Sequence, residues 1–179
     1  MITHYDIKRQ FLVRQADLQN VDDLNLATVH SIYLDPEKLD GLDLFLPLDG
    51  EDVDSSAVEI KVSSVTTKDN DVSYWAISSL GNDPGRAIAA TQVNREVFEK
   101  VKSSFGVKEL KKSRFSFPYL RKHFDLDVVN GGDTLLLNIS LGTENELFAI
   151  PPFVNIIKEV TGDIQFSDYY LSENLKENT

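Results

Sequence analysis

Residues 108–122 hold six bases (Lys108, Lys111, Lys112, Arg114, Arg121, Lys122) against one acid, Glu109, with Phe115, Phe117 and Tyr119 among them. Bases mixed with aromatics can grip phosphates and stack on nucleobases, so a nucleotide or a single strand is one chemistry for this segment. Alternation supplies another. Phe115, Phe117 and Tyr119 share one face of a strand, and Lys112 and Arg114 share the other, so one face packs and one carries charge. Residues 35–54 are the opposite case: eight acids (Asp35, Glu37, Asp40, Asp43, Asp49, Glu51, Asp52, Asp54) stand against Lys38. Such a run reads as a solvated loop, as an acidic docking surface for a basic protein partner, or as a nucleic-acid mimic. Leu42, Leu44, Phe45, Leu46 and Leu48 are interleaved with the acids, which predicts that part of the segment is pinned to the body. His123 stands beside Phe124-Asp125, but neighbours on a strand face opposite ways, so an exposed or structural histidine is expected. Nucleophile-elbow, P-loop and His-Glu-x-x-His motifs are absent. Gly81-Asn82-Asp83-Pro84-Gly85 is turn chemistry rather than a phosphate loop.

The elements that must position these residues are mostly strands. Val58, Ile60 and Val62 alternate with Glu59 and Lys61, and Val72–Ser78 follows a Lys68-Asp69-Asn70-Asp71 turn, so 57–80 reads as a hairpin. Phe124–Val129, then Asn130-Gly131-Gly132-Asp133, then Thr134–Leu141 reads as another, because Asn-Gly and Gly-Gly supply positive φ angles. Ile7–Val13 is a further strand. Asn94 caps a helix through about Ser103, with Val97, Phe98 and Val101 at helical spacing and Gly106 as its stop. Pro151-Pro152 predicts a short helix running toward Val160, and 18–26 reads as a short helix or loop. Strands with few helices point to an α+β plan with a largely antiparallel sheet.

Composition bounds the function. The chain has 179 residues, 41% hydrophobic and 26% charged, which suits one domain with a real core. Lys plus Arg is 18 and Asp plus Glu is 29, a formal charge of −11. That balance argues against coating nucleic acid or an anionic membrane by bulk charge, but it permits a local basic cavity. There is no cysteine, and His4, His30 and His123 are far apart, so thiolate and histidine-rich metal sites are unsupported. No signal-peptide run or span of about 18 apolar residues is visible, and a soluble cytoplasmic protein is expected.

Along nearly its whole length the sequence resembles the CYTH, or triphosphate tunnel, superfamily, which includes class IV adenylyl cyclases and thiamine, inorganic and RNA triphosphatases. Asp6-Ile7-Lys8-Arg9-Gln10-Phe11-Leu12-Val13 is similar to the family's opening Glu-x-Glu-x-Lys strand and its Phe-Leu-Val. Ser31-Ile32-Tyr33-Leu34 and Tyr74–Ser78 resemble two further strands. Val58-Glu59-Ile60-Lys61 stands where Arg-x-Arg is expected, and Gly85-Arg86 resembles the start of Arg-x-Glu-x-Glu. Lys112-Ser113-Arg114-Phe115 is close to Lys-Thr-Arg-Tyr, with Phe124–Val128 and Leu137–Leu141 similar to the strands that follow. Glu159-Val160-Thr161-Gly162-Asp163 and Phe166-Ser167-Asp168 resemble the closing Glu-Val-Thr-Gly-Asp and Tyr-Ser-Asn signature.

The resemblance implies an eight-stranded antiparallel β-barrel, open at both ends, with helices outside and polar residues lining the tunnel. It also implies a chemistry in which bases grip a triphosphate and acids hold Mg²⁺ or Mn²⁺. The basic half is kept in part: Lys61, Arg86, Lys112 and Arg114 fall on motif positions, Lys8 adds a base where the family has an acid, and Glu59 stands where the family usually has Arg. The acidic half is depleted. Ile88 and Ala90 follow Arg86, Asn138 and Ser140 replace the late Glu-x-Glu pair, and the candidates left for a metal are Asp6, Asp125, Asp127 and Asp163. Lys8 beside such an ion costs roughly 1 to 4 kcal/mol at contact range. The expected outcome is a catalytically degenerate tunnel that binds a nucleotide, polyphosphate or other phosphorylated anion through Lys8, Lys61, Arg86, Lys112 and Arg114, without a cofactor. The alternatives are a regulatory or inhibitory interaction protein using the acidic surface, and a Mg- or Mn-dependent triphosphatase or adenylyl cyclase with a rearranged site.

Overall fold

A computed structural model describes residues 2–35, 38, 58–82 and 85–175. All but Asp35 and Lys38 of the acidic 35–54 segment lie outside the described residues, and so do Asp83 and Pro84 of the 81–85 turn.

Eight strands close into an antiparallel barrel: β1 (Ile2–Ala16), β2 (Asn25–Leu34), β3 (Val58–Thr67), β4 (Val72–Asn82), β5 (Gly85–Val93), β6 (Gly106–Tyr119), β7 (Lys122–Val129) and β8 (Thr134–Leu141). Neighbours around the barrel run β6-β2-β3-β4-β5-β1-β8-β7, and a β6–β7 pairing closes the ring. The α+β barrel expected from the resemblance is the observed fold, and both predicted hairpins form. Their turns use Asn70 at φ 65° and the Asn130-Gly131-Gly132 run at φ 49°, 78° and 112°.

Two short strands extend the barrel. β9 (Val154–Glu159) pairs with the second half of β1, whose first half pairs with β5. β10 (Glu173–Asn174) pairs with β6. The helix expected after Pro151-Pro152 is therefore strand β9. Val154, Ile156 and the flanking Phe153 belong to the apolar cluster against β1, and that burial outweighs the local preference of the prolines. Residues 18–24 form a loop.

Helix α1 (Arg95–Phe105) opens on Asn94, whose Oδ1 accepts from Val97 N at 2.9 Å, and it buries Phe98 and Val101. Gly106 ends it at φ −66°, not in the left-handed region. Glycine is needed there for space, because a Cβ would lie 2.6 Å from the Lys102 carbonyl oxygen and 2.8 Å from Ile32 Cγ2. The second helix, α2 (Asp168–Leu171), is a single turn capped by Ser167 Oγ. No helix among the described residues is long and apolar enough to cross a membrane.

Strand alternation sorts the side chains into two environments. Outward residues make two apolar cores: Ile32, Leu34, Ile60, Val62 and Ala76 under α1, and Phe11, Val13, Phe117, Phe124 and Ile139 under residues 148–156. The aromatic face of β6 is thus the barrel's outer face. Inward residues are polar through the middle. At one end they turn apolar, where Tyr33, Leu110, Val129 and Leu136 pack with Leu12, Val160, Phe166 and Leu171. The closing segment of the chain fills that end, which departs from a barrel open at both ends.

Candidate functional site

The barrel encloses a cavity of about 340 Å³, within the range of small-ligand sites. Every base expected to grip an anion is on its wall: Lys8 from β1, Lys61 from β3, Arg86 from β5, and Lys112 and Arg114 from β6. They meet because all five sit at inward positions of four strands, Lys112 and Arg114 two apart on β6, and closure of the sheet brings those positions face to face. Ser31, Ser63, Ser79 and Trp75 complete much of the lining.

The acids come with them. Asp6, Glu59, Asp125 and Asp168 line the same cavity, and Asp127 lies just behind it, 2% exposed. Among the described residues five bases therefore face five carboxylates, four on the wall and Asp127 behind it, a balance that the depleted acidic motifs do not announce.

The deepest part is a saturated network. Arg114 forks onto Asp127, with Nε to Oδ1 at 2.8 Å and Nη2 to Oδ2 at 2.9 Å. Lys112 Nζ lies 3.0 Å from Asp127 Oδ2 and 2.7 Å from Asp168 Oδ2. Gln10 Nε2 donates to Asn138 Oδ1 at 2.9 Å, and Asn138 Nδ2 donates to Asp127 Oδ2 at 3.2 Å. Burial alone would raise the Asp127 carboxyl, but Lys112 and Arg114 outweigh it and hold the group below the usual carboxylate range. The same contest, won by Lys112 with Lys61 and Lys8, holds Asp168 far down. Burial opposes charge on Lys112 and Arg114 as well, yet their carboxylate partners raise both.

Lys61 behaves differently. Burial lowers it, and the pull of Glu59 and Asp168 does not restore it. Glu59 Oε1 stands 3.6 Å from Lys61 Nζ and 4.0 Å from Arg86 Nη1, both beyond hydrogen-bond length. Lys61 also lies over the Tyr33 ring, 5.4 Å from its centroid. The Tyr33 hydroxyl is fully buried with no hydrogen-bond partner among the described residues. Burial first, then the fields of Asp168 and Glu59, push its pKa well up, so it stays a neutral donor.

The candidate metal ligands do not converge. Asp163 is off the cavity wall, and its Oδ1 accepts from Gln165 N at 3.1 Å to cap the 164–166 turn. Asp127 is bound up with Arg114 and Lys112. Asp125 accepts from Ser116 Oγ at 2.5 Å and faces Arg114 Nη1 at 3.7 Å. Asp6 meets Ser140 Oγ at 3.4 Å. Among the described residues no three acids or histidines gather as a metal site, and a hard divalent ion needs several oxygen donors together. This donor set does not fit Mg²⁺ or Mn²⁺. His123, 65% exposed at its side chain, does reach Asp125 Oδ1 at 3.4 Å. Residues two apart share a strand face, so opposed facing was the wrong reason to separate them.

Asp168 received no role from the sequence. Its signal was the carboxylate at the place where the closing signature has asparagine. The rest of that signature is a clasp: Val160 N donates to Gln10 O at 2.8 Å, Gln10 N donates to Thr161 Oγ1 at 2.9 Å, and Gly162 takes φ 73°.

The polar-lined closed barrel is the triphosphate-tunnel, CYTH-like fold. Solved structures share it. The inorganic triphosphatase NE1496 aligns with a TM-score of 0.56 at 20% identity, covering 92% of this chain and 95% of that one. The PH1819 protein from Pyrococcus horikoshii OT3 aligns at 0.56 and 12% identity, covering 78% and 80%. No family model matches the sequence, and no curated protein matches it.

Proposed function

We propose that this chain binds a small phosphorylated molecule inside the barrel, with Lys61, Lys8 and Arg86 facing the anion and Lys112 and Arg114 supporting it, and that it does so without metal-dependent turnover. One observation carries the reading. Lys61 is a base set into a cavity that lowers its pKa, with no carboxylate at hydrogen-bond distance among the described residues. An arriving phosphate supplies the charge that Glu59 and Asp168 do not. Of the acids on or behind the wall, Asp127 and Asp168 are paired with bases, and Asp125 and Asp6 meet serine hydroxyls.

Titration calorimetry and thermal shift with phosphate, pyrophosphate, tripolyphosphate and ATP test this, each with and without Mg²⁺ or Mn²⁺. Bound ligand stabilises by RT ln(1 + [L]/Kd), about 2.7 kcal/mol at a hundredfold excess over Kd. The expected result is binding without a metal requirement, weakened at least tenfold in Lys61→Ala. Silence with all four ligands overturns it.

A second reading is favoured by the shared fold with an inorganic triphosphatase. It is metal-dependent hydrolysis, and it requires Asp6 and Asp125 to recruit further donors. Mn²⁺-dependent phosphate release that is abolished in Arg114→Ala would establish it.

A further inference from the structure

The cavity holds an anion of its own. Asp168 reaches in from α2, 2.7 Å from Lys112 Nζ, and Lys61 and Lys8 act on it at longer range. Its placement is built rather than incidental. Ser167 Oγ caps the turn that carries it, Lys108 Nζ donates to Tyr169 O at 3.1 Å, and Asn130 Nδ2 donates to Leu171 O at 3.1 Å. The Tyr33 ring meets Tyr169 edge-on at 5.3 Å, and Phe166 and Leu171 are locked into the apolar stopper. A carboxylate held from several sides at the stopper, against Lys112, the most buried base among the described residues, occupies space and charge that a long anion would need.

Resting on the anion-binding reading above, we propose that Asp168 sets the charge of the ligand this cavity accepts, reserving Lys112 and restricting the site to a molecule with a single phosphate group, in preference to a tri- or polyphosphate. A single phosphate carries about −1.5 to −2 charge at neutral pH, which Lys61 with its neighbours can match. A polyphosphate brings further charges that must lie against Asp168, Asp127 and Glu59, in a wall whose bases and acids already balance. Like charges at close range in a partly buried site repel strongly. Removing the carboxylate that the closing segment, rather than the barrel, places against Lys112 leaves that base with Asp127 alone, at 3.0 Å, and gives it charge to share with a second phosphate.

The test measures the affinity of inorganic phosphate and of tripolyphosphate, without divalent ions, for the unmodified chain and for Asp168→Asn. The unmodified chain is expected to bind phosphate at least as tightly as tripolyphosphate. In Asp168→Asn, tripolyphosphate affinity should rise at least tenfold more than phosphate affinity does, so that the order inverts. If Asp168→Asn does not fold, the unmodified chain still decides: a tenfold preference for tripolyphosphate overturns the inference. An unchanged order in a folded variant also overturns it, while leaving anion binding intact. If neither ligand binds either protein, the anion-binding reading falls and this inference falls with it.

Discussion

Asp127→Asn tests whether the deep network holds the barrel together. The carboxylate is 2% exposed and accepts both arms of Arg114 as well as Asn138, with Lys112 at 3.0 Å. Removing one member of a buried pair costs about 3–5 kcal/mol, because it strands the partner's charge. Here the lower figure applies. Lys112 keeps Asp168 at 2.7 Å, and Arg114 keeps Asp125 at 3.7 Å. A loss of about 3 kcal/mol in a chain of this size lowers Tm by about 6–12 °C. Urea unfolding at pH 7, followed by circular dichroism, reads the free energy directly. The pH dependence adds a signed check. The folded-state pKa of Asp127 is depressed, so its contribution is fully present above the unfolded value of about 3.9 and is lost as pH falls through the folded value. The gap between unmodified and variant protein should therefore narrow as pH drops below about 4. A gap under about 1 kcal/mol at pH 7, or one unchanged in acid, refutes the reasoning.

Two further substitutions bracket this result. Glu159→Gln removes a bidentate partner of Arg9, at 2.7 and 2.8 Å, but the pair is open to water, with side-chain exposures of 32% and 39%. Urea unfolding should move by less than about 1 kcal/mol. Gly106→Ala places a methyl 2.6 Å from the Lys102 carbonyl oxygen and 2.7 Å from Leu175 Cδ1. The junction of α1 and β6 must shift, costing about 1–3 kcal/mol, and amide exchange should rise at the end of α1 before it rises elsewhere.

How much of this was legible in the sequence follows from which forces are local. The hairpins and α1 were legible because turn glycines, alternation and the Asn94 cap act within a few residues. Strand β9 was not, because Val154 and Ile156 become strand residues only by packing on β1, far away in the chain. The inward bases were legible from alternation together with the motif resemblance. Their compensation was not. Pairing of Lys112 with Asp168 spans 56 residues, and nothing in either local segment announces it. Asp163 misled because a carboxylate beside a glycine reads equally well as a ligand or as a cap, and only its distance from the cavity wall decides between them.

The compensation also explains how the departures from the family pattern hang together. By resemblance, β1 should bring an acid where Lys8 stands, and β3 a base where Glu59 stands. The two strands have exchanged sign on the same cavity wall. The two differences offset one another in the sum of charges on that wall. The loss of acids at Asn138 and Ser140 removes negative charge from β8, and Asp168, where the signature has asparagine, returns some from the closing segment. Among the described residues the buried carboxylates Asp127 and Asp168 each stand against a base. On the proposed anion-binding reading, that arrangement leaves Lys61 as the base with the most to gain from a ligand.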